Sequence, residues 1–189
     1  MTVVCGIDYS MNSPAICVYD TDTDLKFENL KLFSLSDQKT KIGTFGNIRL
    51  DLLRPYTSPE ERYHNNAIWV RDILLELGVS EYAMEGYSMG SSSGLVFNIA
   101  ENGGALKQML WKAGIVQRES PSPSTVKKYH SGKGNSKKEP MVDAFNDLFM
   151  VQLHDLIKLK APYAKPVDDL TDSWAVLNTA FDITGPKKI

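Results

Sequence analysis

Four carboxylates stand where a fold of strands and helices gathers its chemistry. Asp8 ends an apolar run that starts at Val3, and Glu85 ends a second short run that starts at Glu81. Asp169 and Asp172 are three residues apart in a segment with helical spacing, so their side chains share a face. In α/β sheets ligands collect at strand ends, and a C-terminal helix packed across those ends brings all four acids together. Four acids at one place repel one another unless cations bind. Clustered oxygen ligands suit Mg²⁺ or Mn²⁺. Two such ions about 4 Å apart activate water and stabilise the leaving oxygen in phosphodiester hydrolysis. Taken singly, each acid is more often a turn or cap residue, and a helix dipole alone favours Asp169 and Asp172. Asp8 and Glu85 are harder to explain that way, because each interrupts an apolar strand pattern.

A second group of residues carries the opposite charge. Between Lys107 and Lys138 lie eight basic residues, Lys107, Lys112, Arg118, Lys127, Lys128, Lys133, Lys137 and Lys138, against one acid, Glu119. The segment therefore carries +7 within a chain whose total is −2, which leaves −9 elsewhere. A charge run is most often a solvated helix face. Here the interspersed glycines and prolines favour a footprint for a phosphate backbone. The loop Gly132-Lys133-Gly134-Asn135 precedes a helix and offers backbone N–H groups to a phosphate, but the spacing of a Walker loop is absent.

The elements that position these groups follow from periodicity and turn signals. Val3 to Asp8 and Ala15 to Tyr19 read as a hairpin about Asn12-Ser13-Pro14, and Lys26 to Leu35 as a third strand. Residues 36–60, with Gly43, Gly46, Pro55 and Pro59, read as an irregular insertion. Glu60 to Leu77 has helical spacing and Gly78 as its C-cap. Glu81 to Glu85 is a strand, 88–94 a flexible loop, 95–113 a helix, and 114–119 a strand. A short helix holds Val126 and Lys127. Ser136 caps a long helix from Lys137 to about Lys158, and the last helix runs from Asp168 to Phe181. The order predicts one α/β domain over 1–189: a mixed five-stranded sheet, three antiparallel strands and then parallel βα units, flanked by helices.

The ordered set resembles the RuvC family of Holliday junction resolvases, which have a ribonuclease H-like fold. Gly6-Ile7-Asp8 resembles the family's first strand, and Glu85 its second acid. Val126-Lys127-Lys128, Gly132-Lys133-Gly134 and Lys138 resemble its VK…GxG…K stretch, and Asp169 to Ala175 its DxxDAxA helix. The resemblance implies that Asp8, Glu85, Asp169 and Asp172 hold two Mg²⁺ ions, with Mn²⁺ able to substitute, and that Lys127 and Lys138 act at the scissile phosphate. Asp168 is a second choice as ligand, its simpler role being an N-cap. Arg118, Lys127, Lys128, Lys133, Asn135, Lys137, Lys138 and Tyr87 are the expected DNA contacts, with Tyr87, Met89 and Phe97 as candidate wedges. The implied partner is branched DNA, foremost the four-way junction, nicked symmetrically by a homodimer built on helix 95–113. Three departures mark a divergent, bacteriophage-type branch: Tyr9 stands where bacterial members have Pro-Gly, 36–60 is long, and Ser173 replaces a small apolar residue.

Other classes fit less well. No apolar run approaches 18 residues, so no membrane span is expected, and the N-terminus lacks the pattern of a secretory signal. Cys5 and Cys17 make no disulfide framework, which with the missing signal predicts a cytoplasmic protein, in the bacterial host if phage-encoded. His64, His130 and His154 lack zinc spacing, and His130 is expected at the surface. Trp69, Trp111 and Trp174 are expected in the core. A nucleotide cofactor is not expected, because the actin-like relatives of this fold need two lobes. A non-catalytic DNA scaffold and a broader nuclease for flaps, forks and three-way junctions remain as alternatives.

Overall fold

A computed structural model describes residues 2–86, 93–118 and 120–186. Tyr87 and Met89 lie outside the described residues. Strand β1, Val3–Asp8, pairs antiparallel with β2, Ala15–Asp20, which pairs antiparallel with β3, Leu30–Ser36. On the other side β1 runs parallel to β6, Glu81–Met84, and β6 parallel to β7, Val116–Gln117. The expected antiparallel trio and parallel extension are both present.

Among the described residues the sheet has seven strands rather than five, because 36–60 is not irregular throughout. It forms β4, Gly43–Phe45, and β5, Ile48–Leu52, and the order is β4-β5-β3-β2-β1-β6-β7. Gly46, at φ +62, opens the two-residue turn between them, a conformation that favours glycine. Ile48 and Leu50 are buried while Arg49 and Asp51 point away, the alternation of a half-buried strand. That alternation lies between glycines and prolines, which mask it.

Helices cover both faces. Against one face pack α1, Pro59–Glu76, and α2, Ser93–Lys112, through Val70, Ile73, Leu74, Leu106 and Leu110 onto Cys5, Ile7, Ile16 and Val18. Ser58 caps α1 by accepting from the Glu61 backbone N–H at 3.2 Å. Against the other face pack α4, Lys138–Phe149, and α6, Val167–Phe181, through Phe145, Leu170, Trp174 and Leu177 onto Val4, Cys17 and Leu32. The short α3, Pro123–Ser131, anchors through Val126 beside Ala83 and Ala175. Cys5 and Cys17 are free thiols in the core.

Three further expectations are corrected. The helix from Lys137 does not continue to Lys158: it stops at Met150, which adopts the left-handed conformation at φ 53, and α5, Leu153–Leu156, follows. Asn146 holds that turn, its carbonyl accepting from Val151 N–H at 3.0 Å and its Oδ1 from Leu153 N–H at 3.2 Å. Ser136 does not cap α4; the N-cap position is Lys137, and the Ser136 hydroxyl accepts from Ser131 Oγ at 2.6 Å. Trp174 is buried as expected, but Trp111 is 76% exposed on the outer side of α2, and Trp69 is partly buried with its indole N–H on Asp51 at 2.8 Å.

Candidate active site

Alternation along β1 decides where the chemistry goes. Val4, Gly6 and Asp8 share one face, and Cys5 and Ile7 the other. A Cβ on Gly6 would lie 2.3 Å from the Ser173 carbonyl oxygen and 2.4 Å from the Leu177 nitrogen, so the α6 backbone rests directly on this glycine. Two residues further along β1 is Asp8, and one turn back along α6 from Ser173 is Asp169. The contact at Gly6 thus brings the strand end to the helix start. Trp174 fixes the roll of α6, wedged against Phe149 and Phe145 at centroid distances of 5.0 and 6.4 Å. Ser173 is fully buried and donates to the Leu170 carbonyl at 2.7 Å, which accommodates a hydroxyl at this position.

The second acid arrives by register. In the parallel pair β1–β6, Ile7 lies opposite Met84, so the next residues, Asp8 and Glu85, leave the sheet side by side. Met84 packs against the α1–α2 side and Ala83 against α6, which puts Glu85 on the α6 side as well.

The charges report how close these groups are. Burial raises the Asp8 carboxyl well above the usual carboxylate range, and Asp172, Asp169 and Glu85 push it further. Burial, then Glu85, Asp168 and Asp169, push Asp172 up to about 7. Glu85 is raised by burial and pulled back by Lys127, and Asp169 is raised by burial and Asp168. Asp168 and Asp169 are only 3% and 5% exposed, and among the described residues Asp168 Oδ1 and Asp169 Oδ2 have no hydrogen-bond partner. The N-cap of α6 is Pro166, so Asp168 is not the cap.

Three lysines approach this cluster from three directions. Lys127, on α3, acts on Glu85 and Asp172. Lys138, the first residue of α4, donates from Nζ to Asp168 Oδ2, a contact that holds its ammonium above its ordinary pKa. Lys165 pairs with Asp169 Oδ1 at 3.1 Å and donates to Ser13 Oγ. Sequence spacing missed Lys165 and Ser13: a lysine in a Pro-flanked loop and a turn serine carry no periodic signal.

Among the described residues no three acidic, histidine or cysteine side chains already close around one point as in a loaded metal site. The donor set nevertheless fits a hard divalent cation. It offers carboxylate oxygens only, among them the buried Asp169 Oδ2, which has no partner among the described residues, in a cluster whose like charges resist ionisation.

The basic segment divides. Lys128, Lys133, Asn135 and Lys137 are exposed around the α3–α4 turn, where Gly132 ends α3 in the left-handed conformation at φ 87. Among the described residues Lys128, Lys133 and Lys137 make no ion pair. Arg118 instead turns to Glu81 at 2.6 Å and stacks over the Phe181 ring, toward the far end of β6 from Glu85. His130 is not at the surface: it is buried, with Nε2 within hydrogen-bond distance of the Met141 carbonyl at 3.1 Å. A cleft of about 370 Å³ opens beside the acids, lined by Asp8, Tyr9, Met84, Glu85, Ile99 and Lys165.

Solved structures share this arrangement of elements. Thermus thermophilus RuvC matches with a TM-score of 0.60 and 18% identity, over 98% of this chain and 99% of that chain. The chain has the RuvC fold. T. thermophilus RuvC in complex with a Holliday junction substrate matches over the same shares with a TM-score of 0.64 and 18% identity. The yeast mitochondrial Holliday junction resolvase Ydc2 matches with a TM-score of 0.54 and 17% identity, over 95% of this chain and 78% of that one. The likeness is one of structure: no family model and no curated protein sequence matches this chain. The match extends almost end to end along both chains.

Proposed function

We propose that the protein is a divalent-metal-dependent endonuclease that resolves four-way DNA junctions by paired nicks. The observation that carries this reading is the convergence of Asp8, Glu85, Asp169 and Asp172 under three lysines on a RuvC fold. Those four carboxylates would hold two Mg²⁺ or Mn²⁺ ions, which would supply an activated water and positive charge at the leaving oxygen. The chain's own residues do the rest. Lys127 places positive charge next to Glu85 and Asp172, where negative charge develops during phosphoryl transfer. Lys138 holds Asp168 in place at the edge of the cluster. Lys128, Lys133, Asn135 and Lys137 stand at the adjacent surface and suit phosphates of the DNA arms.

A junction has two-fold symmetry, so a C₂ dimer presents one site to each of two strands. Support for a dimer comes from the outer face of α2, where Phe97 is 70% exposed, Trp111 is exposed, and Gly104 has open space above it. Leu106 and Leu110 of the same helix face the chain's own core.

The deciding experiment is a cleavage panel in Mg²⁺ comparing four-way junction, three-way junction, flap and linear duplex. The four-way junction is expected to be nicked in two symmetric strands. Asp8→Asn is expected to slow nicking by about a thousandfold or more while sparing junction binding. Undiminished nicking by that variant, or by wild type in EDTA, would falsify the mechanism. Preferential cutting of flaps or three-way junctions replaces the resolvase reading with that of a broader branched-DNA nuclease. Binding without any cutting makes the protein a scaffold.

A further inference from the structure

Lys165 belongs to none of the motifs read from the sequence, yet its ammonium sits at the acid cluster. It bridges Asp169 Oδ1 and Ser13 Oγ, and its charge opposes the rise at Asp8. Both sides of this bridge are braced. The Ser13 backbone N–H donates to Ser10 Oγ at 3.1 Å. The turn that carries both serines is pinned by α1, where Arg62 Nε and Asn66 Nδ2 donate to the Met11 carbonyl at 2.8 and 3.1 Å. The Lys165 carbonyl accepts from Lys41 Nζ at 3.1 Å, a contact from the turn ahead of β4. Asp169 itself is buried, with its second oxygen unpartnered.

We propose that Lys165 is a built-in counter-cation, which holds the Asp8–Asp169 side of the cluster when no divalent ion is present and is displaced from Asp169 when one binds. The proposal rests on the metal-dependent reading above. An ammonium and a divalent ion compete for the same carboxylate charge, so breaking the Lys165–Asp169 bridge is subtracted from the ion's affinity. The displaced side chain is not stranded, because it is half exposed and lines the cleft beside Asp8 and Glu85. A DNA phosphate entering that cleft takes the ammonium as its partner, so DNA and divalent ion each strengthen the binding of the other.

The test is Mn²⁺ binding to the full chain without DNA, read by electron paramagnetic resonance and by the melting midpoint as a function of Mn²⁺. Lys165→Met is expected to bind Mn²⁺ about tenfold more tightly, a coupling of ordinary size between two sites. Its metal-free midpoint is expected to lie below that of wild type. Lys165→Arg keeps the charge and is expected to keep the weaker binding. Ser13→Ala removes the tether and is expected to shift affinity in the direction of Lys165→Met by a smaller factor, and it decides the matter if Lys165→Met does not fold. Mn²⁺ affinity that is unchanged or weaker in both Lys165→Met and Ser13→Ala overturns the proposal. If wild type binds no Mn²⁺ and Asp8→Asn changes nothing, the metal-dependent reading fails and takes the proposal with it. If Asp8→Asn abolishes wild-type binding while Lys165→Met leaves it unaltered, only the proposal fails.

Discussion

The two faces of β1 are built to opposite rules. Toward α1 and α2 it presents Cys5 and Ile7, fully buried among aliphatic side chains. Toward α6 it begins with the buried Val4 but continues with Gly6 and Asp8, where a missing side chain allows backbone contact and a carboxyl meets other carboxyls. One face therefore stabilises the sheet through apolar burial, while the other gives up that gain to bring like charges together. A single strand can do both because its side chains alternate, so stability and chemistry should separate on mutation at neighbouring residues.

The sharpest way to break this comparison is at Gly6. Gly6→Ala inserts a methyl group into the α6 backbone, and is expected to cost about 3 kcal/mol or more and to cut nicking severely, because the acids are carried by the displaced helix. Wild-type melting and activity in that variant would mean that α6 is not seated on Gly6. Ile7→Ala, one residue on, is expected to cost about 2–5 kcal/mol of stability with little change in nicking rate at temperatures where it is folded. A lost rate in folded Ile7→Ala would show that the faces are not independent.

A smaller effect tests the charge on the α6 face. Asp172 has its ordinary value of 3.8 in the unfolded chain and about 7 when folded, so the folded chain holds a proton that the unfolded chain has released. Stability of the metal-free protein from this group is therefore present below about pH 4 and lost as pH rises through about 7. Melting midpoints without metal are expected to fall between about pH 4 and 7, and Asp172→Asn to flatten that fall. Smallest of all is Lys133→Ala, expected to lower the slope of log affinity for DNA against log salt by about 1 without changing the melting midpoint.

Much of this architecture was legible because it is periodic. Val3 to Asp8 and Glu81 to Glu85 announce strands that end in acids, and Asp169 with Asp172 announces a helix face. What the structure adds is where those periods meet, and periodicity is silent on that. The β4–β5 hairpin was hidden by its glycines, although Ile48, Leu50 and Leu52 alternate plainly. The break at Met150 depends on Asn146 folding back on its own turn, which no spacing shows. Lys165 and Ser13 are 152 positions apart and are joined only by the fold. The reach of Arg118 depends on the register of β7, and the burial of His130 on α4 lying across α3.

The seat of α6 on Gly6 also fixes when this protein can acquire its chemistry. Asp169 is made about 160 residues after Asp8, so the intervening strands and helices are synthesised before the two can meet. A nascent chain without α6 has the strand, the glycine and the first acid, but not the cluster. The four acids come together only once the last helix is seated on Gly6.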